Sequence, residues 1–546
     1  MSQSQRLTRY FSGLFSAIGS YGCSATATPE FRAPLDLIQH MDRLGVTHAL
    51  VRQNAFNVHP ASGNQRLVDD LTSCQDDRVR LFPALTVAPT QYWDRGGVAA
   101  LRKNMLDSGT RALWVYPGAA RNRLQQLEPV LKELIDLKPF LLVDIPELGN
   151  SSDVIELAET FPTLPIILTQ GMWPTLPTVF DLMRRLPNVL METSWCHTQG
   201  TIADAVREFG VHRVIFGLGP KAHQGAAIAG LAHAQIDEQV KNQIAYGNLA
   251  RLMGLPDVIE PRTSLTEPAH RVGSDHAQLW HNFILAKPST VNIIDSHGHL
   301  GGGAAWAIHE NRIDAQIRHL LPRMDQLGIE SMIISGLDAI FSDPVEHNLL
   351  LAEKLKAYSP RLRVYFVFNP NYGNQLTPLF ESCFAQKVFA GFKLHNDVWQ
   401  LPITDTRFTP VWEYANAHRL PILLHTWDTP WSSPVQLEAI APRYPHAHFL
   451  LGHSGGGNVG REQAVKLASA NTNVYLEWCG SFCSSTTWEE TLPRVNLKQV
   501  IFGTDGVAHD LSWELGRLLS LNVPDATLQP ILGDNMRAIL AQRRTS

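Results

Sequence analysis

The chain has 546 residues, of which 44% are hydrophobic and 18% are charged, and its formal net charge is −5. This length favours two domains, while the charge balance lacks the basic footprint of a nucleic-acid-binding protein. No apolar stretch approaches the ~20 residues that a membrane-spanning helix needs. We therefore expect neither nucleic acid nor a membrane as a partner.

The N-terminal segment 1–22 is weakly apolar and serine-rich, and it has basic but no acidic residues. A secretory signal would have a cleaner apolar core, so we expect a cytoplasmic protein, with a targeting segment within 1–22 as the alternative. The six cysteines are scattered, which suits a reducing compartment. Cys479 and Cys483 lie close together, but no second pair completes a zinc site.

The second half of the sequence repeats the first. Five short segments recur in the same order at a nearly constant separation of about 283 residues, which is the signature of a duplicated domain. The matched segments are 41–46 with 324–329, 78–82 with 361–365, 165–170 with 448–453, 214–217 with 500–503, and 248–252 with 535–539.

Within each copy, short apolar runs alternate with longer amphipathic segments such as 345–356 and 459–470. Buried strands with helical crossovers favour a parallel sheet, and eight such units favour a (β/α)₈ barrel. The sequence therefore predicts an α/β protein with two tandem (β/α)₈ TIM-type barrels, 1–262 and 289–546, joined by a proline-rich linker, 263–288. The strands predicted in the second copy are 291–296, 331–335, 363–368, 390–394, 421–424, 448–451, 473–477 and 499–502.

Histidines and an aspartate follow several predicted strands of the second copy. Alternate side chains of a strand share a face, and the active site of such a barrel lies at the carboxyl ends of its strands. Imidazole and carboxylate groups that converge there are what a first-row metal ion needs. The side chains are His297 and His299 after strand one, Lys393 and His395 on strand four, His425 after strand five, His453 after strand six and Asp505 after strand eight.

The first copy lacks every one of these candidate ligands. The repeat aligns Lys393 with Trp114, His395 with Tyr116, His425 with Val143, His453 with Gln170 and Asp505 with Gly219, and a separation of 283 aligns His297 and His299 with Leu14 and Ser16. We therefore expect a non-catalytic first barrel and a catalytic second barrel.

The series of histidines, Lys393 and the Gly503-Thr504-Asp505 motif resembles the amidohydrolase superfamily, and more narrowly its amidohydrolase-related branch. The resemblance covers the whole second half, and the first half as a degenerate copy. It implies that the metal ligands are His297, His299, His425 and Asp505. It also implies one divalent metal, zinc before manganese, or two if a carboxylated Lys393 bridges them.

The resemblance implies catalytic roles for Asp505 and His453, with Lys393 and His395 as bridging or substrate-binding groups. Asp505 would take a proton from metal-bound water, and His453 would polarise the substrate or protonate the leaving group. The expected reaction is hydrolysis of a C–N or C–O bond in an amide, lactam or lactone. Non-oxidative decarboxylation is the first alternative, and a non-catalytic binding or scaffold protein is the second.

Aromatic and polar residues near the strand ends suggest a pocket for a small carboxylated or aromatic substrate, although each could instead pack a loop onto the barrel. We also expect the inert barrel to replace a partner subunit, so that the two barrels form an intramolecular pseudo-dimer that could oligomerise further. The predicted pocket residues are Trp306, His309, Trp399, Trp427, Glu477 and Trp478.

Overall fold

A computed structural model describes residues 11–23, 29–57, 59–74, 80–115, 122–256, 278–287, 289–302, 312–477, 479–480 and 485–544. The chain divides into two compact units, Met1–Val272 and Gly273–Ser546. Within the described ranges, no helix is long and apolar enough to cross a membrane.

The first unit contains two parallel sheets, one of four strands and one of six. Its strands are β1 (Phe15–Ser16), β2 (Ser20–Tyr21), β3 (His48–Gln53), β4 (Leu81–Pro83), β5 (Leu85–Val87), β6 (Ala112–Val115), β7 (Phe140–Asp144), β8 (Ile166–Thr169), β9 (Val189–Glu192) and β10 (Val214–Ile215). Its α-helices are Pro34–Leu44, Pro60–Ser73, Gly97–Ser108, Glu128–Lys132, Ser152–Thr160, Leu176–Arg185, Thr201–Phe209, Ala226–Ala232, Glu238–Asn242 and Asn248–Met253.

The second unit contains one parallel sheet of eight strands in sequential order. The strands are β11 (Ile293–Leu300), β12 (Ile329–Gly336), β13 (Leu362–Val367), β14 (Phe389–Leu394), β15 (Pro421–His425), β16 (His448–Gly452), β17 (Val474–Glu477) and β18 (Val500–Ile501). The α-helices are Gln278–Ile284, Ile313–Leu327, Leu337–Phe341, Pro344–Leu355, Gly373–Leu376, Phe380–Phe384, Asn396–Trp399, Thr409–His418, Asn458–Ala470, Ser485–Thr491, Leu511–Leu519, Asp525–Gln529 and Asn535–Ala541.

Backbone hydrogen bonds join the first and last strands of this eight-stranded sheet. The Ser296 N–H donates to the Phe502 carbonyl at 3.0 Å, and the Asp505 N–H donates to the His297 carbonyl at 2.8 Å. The sheet therefore forms a nearly closed parallel barrel around an apolar core that includes Leu423 and Leu450. The predicted α/β class and the eight strands of the second copy are confirmed, whereas a complete barrel in the first copy stays a prediction.

The two units share a helix C-cap and a pair of asparagine hydrogen bonds at matched positions. The repeated motif that contains Met41 and Met324 is the end of a helix, and Gly45 or Gly328 caps it in the left-handed region, at φ 80° and 75°. The Asn64 side chain donates to the Thr86 carbonyl and accepts from the Thr86 N–H. Asn348 makes the same two bonds to Val367.

The end of the predicted linker 263–288 is helical from Gln278 to Ile284. Leu279, Trp280, Phe283 and Ile284 form one buried helical face, and the Leu279 N–H donates to Asp525 Oδ2 at 2.9 Å. The end of the predicted linker therefore packs as a helix. Residues 263–277 of the linker, like residues 1–10, lie outside the described ranges.

Candidate functional site

His297 and His299 lie on β11, and both are buried, at 0% and 4% exposure. Strand alternation sends both rings to one face. The His299 ring is fixed from behind, since its Nδ1 lies 3.2 Å from the Ser335 carbonyl oxygen and 3.0 Å from the Ser335 hydroxyl. Its Nε2 is therefore directed toward the site.

Asp505 follows β18 and brings a carboxylate to both histidines. Its Oδ1 lies 3.0 Å from His299 Nε2 and 3.5 Å from His297 Nε2. Its backbone is in the left-handed region, at φ 58°, which is strained for a residue other than glycine and is frequent at functional sites. Burial opposes ionisation of Asp505, but the neighbouring imidazoles outweigh it and hold the pKa of Asp505 well below its usual range.

This donor set fits a divalent metal ion. The Ser335 carbonyl oxygen can only accept a hydrogen bond, and when His299 carries its proton on the Nδ1 that faces this carbonyl, the lone pair is on Nε2. That lone pair meets the Asp505 carboxylate oxygen at 3.0 Å. Two acceptors this close are stabilised by a cation between them, and nitrogen and oxygen ligands suit zinc or manganese.

Lys393 and Glu477 contact opposite sides of the His297 ring. The Lys393 ammonium donates to His297 Nε2 at 2.8 Å, and Glu477 Oε2 lies 3.1 Å from His297 Nδ1. Burial lowers the pKa of Lys393 to about 8 and raises the pKa of Glu477 to about 8. A carboxylate behind a histidine is the usual means of orienting a metal ligand.

His453 and Cys479 complete the cluster. One potential ligand atom from each of His297, His453, Cys479 and Asp505 lies within 4.8 Å of the others, and all four residues are buried. His453 Nδ1 donates to the Cys479 carbonyl at 3.0 Å, which directs its Nε2 toward the site. Burial lowers the pKa of His453 to about 3, so the ring is neutral.

His425 and His395 lie at the edge of this cluster. Their rings stack with centroids 4.1 Å apart, and the His425 ring lies 4.7 Å from the His453 ring. His425 Nε2 contacts Asp397 Oδ2 at 3.2 Å, and Asp397 also accepts from the Ser432 hydroxyl at 2.5 Å. Three of the four predicted metal ligands therefore make direct contacts with one another. The fourth, His425, contacts the His453 ring, which lies between it and His297.

The predicted pocket residues divide into four groups. Trp427 stacks on His425 and makes an edge contact with His453, with ring centroids 6.1 and 5.6 Å apart. Trp399 is buried and its indole N–H donates to the Ile340 carbonyl at 3.0 Å, which favours the loop-packing alternative. Glu477 lies behind His297 rather than in an open pocket. Trp306, His309 and Trp478 lie outside the described residues.

Sequence reasoning missed three groups near the predicted metal ligands: Cys479, Asp397 and Asp295. Asp295 accepts from the Thr504 hydroxyl at 2.5 Å and from the His297 N–H at 3.0 Å, so it fixes both β11 and the loop that contains Asp505. A signal for Cys479 was present, because it follows Glu477 by two positions and so shares its face.

The first unit preserves the backbone of the site without its ligands. Gln170 and Gly219 are in the left-handed region, at φ 58° and 79°, as His453 and Asp505 are in the second unit. Glu192 ends β9 as Glu477 ends β17, and the Gln170 N–H donates to Glu192 at 3.3 Å, as the His453 N–H does to Glu477.

Strand pairing corrects two of the predicted correspondences. Ser16 Oγ accepts from the Ile18 and Leu218 N–H groups, just as Asp295 accepts from His297 and Thr504. The counterparts of His297 and His299 are therefore Ile18 and Ser20 rather than Leu14 and Ser16, because the first strand is offset by 279 residues instead of 283.

The counterpart of His425 is Asp144 rather than Val143. Asp144 pairs with Thr169 in the register in which His425 pairs with Gly452. Asp144 lies 3.4 Å from the Arg52 guanidinium, which stacks on Trp114 at 3.9 Å. In the first unit, the guanidinium cation of Arg52 therefore lies beside Asp144 and Trp114, which are the counterparts of His425 and Lys393.

Comparisons with known proteins extend over both units. A family model described as Amidohydrolase matches residues 37–255 and 294–541, and the two segments fit a tandem duplication. A search of curated proteins found no significant match.

Solved structures with a similar fold each cover nearly the whole of their own chain and less than half of this one. They include 5-carboxyvanillate decarboxylase from Sphingomonas paucimobilis (13% identity, TM-score 0.37, 46% of this chain and 99% of that one). A dihydroxybenzoic acid decarboxylase from a Polaromonas species with bound manganese has 16% identity and a TM-score of 0.39, over 47% of this chain and 98% of that one. The 2,6-dihydroxybenzoate decarboxylase from Rhizobium has 14% identity and a TM-score of 0.38, over 46% and 99%.

The family match spans most of both units, and its second segment contains every histidine, lysine and aspartate of the site described above. The chain belongs to the amidohydrolase family.

Proposed function

We propose that the second unit is a metal-dependent hydrolase that cleaves a C–N or C–O bond in a small carboxylated or aromatic substrate. The observation that carries this proposal is the buried contact of Asp505 Oδ1 with Nε2 of both His297 and His299. His297, His299, Asp505 and, through its Nδ1, His425 would hold one divalent ion, zinc before manganese. Such an ion lowers the pKa of a bound water to near neutral pH. It also polarises the carbonyl group of a substrate.

Asp505 and His453 would move the protons. Asp505 lies between the histidines and is ionised, so it can accept the proton of an attacking water. The Cys479 carbonyl accepts from His453 Nδ1, so Nε2 can take up a proton. Once protonated, it can polarise the substrate or pass the proton to the leaving group. Both side chains are buried, at 6% and 5% exposure, and this shields the proton transfers from bulk water.

Lys393 and His395 are the proposed substrate-binding groups. The Lys393 side chain is 1% exposed and its ammonium is already beside His297, so a substrate carboxylate that enters the site would gain a buried charge partner. Carboxylation of Lys393 would instead make it a bridge between two ions, and a count of two metals per chain would show this.

Decarboxylation is the second candidate, and the burial of the site favours it. A carboxylate loses its hydration in a site whose charged and imidazole groups are almost fully buried, and this loss lowers the cost of releasing carbon dioxide. Asp505 or His453, once protonated from solvent, would then deliver that proton to the carbon that carbon dioxide leaves.

Elemental analysis of the purified protein, made without chelators, tests the metal first. We expect about one divalent ion per chain, and its loss in His297→Ala/His299→Ala. A screen of amides, lactams and lactones, with carbon dioxide release from aromatic and unsaturated carboxylic acids in parallel, then separates the two reactions. A wild-type protein without metal and without either activity would favour the binding-protein alternative.

We further propose that residues 1–262 form a non-catalytic barrel that replaces a partner subunit, and that the protein is cytoplasmic. The support for a non-catalytic first unit is the absence of the ligand side chains from the matched positions Ile18, Ser20, Gln170 and Gly219. If the pseudo-dimer proposal holds, an isolated 289–546 fragment exposes apolar surface and aggregates. A monodisperse and active fragment would contradict it.

A further inference from the structure

The helix Leu511–Leu519 follows Asp505 closely and buries two charged side chains. Glu514 and Arg517 are each 2% exposed, and Arg517 donates to Glu514 Oε2 at 2.5 Å. Removing charges from water costs several kcal/mol per ion, and the mutual attraction of a buried pair often does no more than offset this cost. A role beyond stability would explain why the helix has them.

One end of the Glu514–Arg517 pair reaches Asp505. Glu514 Oε1 lies 3.3 Å from His509 Nδ1, and His509 Nε2 lies 3.7 Å from Asp505 Oδ2. The other carboxylate oxygen of Asp505 faces His297 and His299. His509 therefore faces the Asp505 carboxylate from the side opposite to the histidines.

The other end of the pair reaches the backbone that holds His453. The Arg517 guanidinium donates to the Gly480 carbonyl at 2.9 Å, and the adjacent Cys479 carbonyl accepts from His453 Nδ1 at 3.0 Å. A Cβ atom at Gly480 would lie 3.2 Å from His453 Nδ1 and 3.5 Å from Asp505 Oδ2. The short segment that Arg517 anchors is thus packed against both side chains.

The first unit provides a natural comparison. Its helix Ala226–Ala232 has the sequence AAIAGLA, without a charged residue. His223 follows Gly219 by four positions, as His509 follows Asp505, so the histidine is kept in both units. The charged pair is present only in the copy in which Asp505 and His453 are present.

We infer that Glu514 and Arg517 are positioning residues, which act through His509 and Gly480 to fix the orientations of Asp505 and His453. The inference rests on the proposed function, because it takes these two side chains as the catalytic pair. Breaking the buried pair would let the Asp505 carboxylate and the 479–480 backbone move, and the metal geometry would then change without the loss of any ligand.

Two variants of the full chain test the inference. Glu514→Gln removes one charge and keeps the shape of the side chain. Glu514→Ile/Arg517→Leu removes both charges with residues of the kind found in Ala226–Ala232, so that no buried charge is left unpaired and the fold is expected to survive. The matched control is Glu462→Gln, because Glu462 pairs with Arg494 on the surface of the same unit.

The probe is cobalt(II), titrated by its visible absorption. We expect both variants to bind it roughly 10–100-fold more weakly than the wild type, as for other groups that orient ligands, with an altered spectrum, and the control to match the wild type. An unchanged affinity and spectrum in the folded double variant would overturn the inference.

Crystal structures of the wild type and the double variant supply a measurement that does not depend on metal. We expect the Asp505 carboxylate and the His453 ring to be displaced in the variant, and superimposable side chains would contradict the inference. A wild type that binds no cobalt would count against the proposed function, while the crystal comparison would still decide the positioning role.

Discussion

Asp397 is the residue that best explains how His425 could serve as a metal ligand. Its carboxylate contacts His425 Nε2, which leaves Nδ1 as the nitrogen available to the site. We predict that Asp397→Asn weakens zinc or manganese binding by about 10-fold, because a carboxylate that orients a histidine typically contributes 10–100-fold to metal affinity. Isothermal titration calorimetry measures the change.

Asp405→Asn is the matched control for this variant. Asp405 is in the same loop region, but its carboxylate pairs with Arg407 at 2.8 Å, and we expect its affinity for metal to equal that of the wild type. Equal affinities in Asp397→Asn and the wild type would show that His425 does not bind metal through Nδ1.

We predict that Glu192 makes the stability of the first unit depend on pH. The residue is 1% exposed, and burial raises the pKa of its carboxyl group from 4.5 to about 7. Between these values the folded chain keeps a proton that the unfolded chain has lost, so a rise in pH through this window favours unfolding. Glu192→Gln removes this dependence.

We expect Glu192→Gln to be more stable than the wild type at pH 8, by on the order of 2 kcal/mol, with a smaller difference at pH 5. Urea denaturation at the two pH values checks this, and the exposed Glu208→Gln serves as the control. A difference that does not change with pH would mean that Glu192 is ionised in the folded protein.

At the residue scale, the sequence pointed to the side chains proposed as metal ligands and missed several of the groups that contact them. His297 and His299 were predictable because strand alternation sends both to one face. Asp397 was not, since its importance depends on a short distance to His425 from a different element of the chain. Glu192 could have been found, because it is the match of Glu477 in the repeat.

At the element scale, the glycine that follows β10 in the first unit and β18 in the second is required in both. A Cβ atom at Gly503 would lie 2.7 Å from both Glu477 Oε1 and His297 Cβ, and one at Gly217 would overlap Glu192 Oε1. Both Gly503→Ala and Gly217→Ala should cost about 1–3 kcal/mol from overpacking. Only Gly503→Ala should also weaken metal binding, since it displaces His297.

Denaturation and metal titration of the two alanine variants check this prediction together. Gly373→Ala is a suitable control, because Gly373 lies in a helix and a Cβ there meets only Phe368, at 3.6 Å. Weaker metal binding in Gly217→Ala would contradict the assignment of the metal site to the second unit alone.

Element boundaries in the second unit agree closely with the sequence pattern. The predicted strands 421–424 and 448–451 correspond to β15 and β16, and the predicted helix 459–470 corresponds to Asn458–Ala470. The first strand of the first unit was misaligned by four residues, because the repeat has a deletion there that a constant separation conceals. Short strands such as β1 provide too few apolar positions to reveal such a shift.

At the scale of the whole molecule, duplication of the fold was readable from the repeated segments, and the loss of ligands from one copy was readable from the same alignment. What the alignment did not predict is that the first unit keeps a buried charged cluster, Arg52 with Asp144 and Trp114. A cation–π contact over a tryptophan depends on three strands meeting at one rim, and no single segment encodes it.

If only the second unit binds metal, then metal should stabilise that unit and not the first. A ligand present at 100 times its Kd stabilises the state that binds it by about 2.7 kcal/mol, so zinc or manganese should raise the unfolding temperature of the second unit by several degrees. The first unit lacks the ligands and should unfold at the same temperature with and without metal. Differential scanning calorimetry in metal and in chelator makes the measurement.

A pair of equivalent asparagines assigns the two transitions. Asn248 donates to the Val211 and Val214 carbonyls, and Asn535 donates in the same way to Leu497 and Val500. Each alanine variant loses buried hydrogen bonds, at a cost of about 1–3 kcal/mol, so Asn248→Ala should lower the metal-independent transition and Asn535→Ala the metal-dependent one. If the transition that Asn248→Ala lowers also rises with metal, then the first unit contributes to metal binding and the proposed division is wrong.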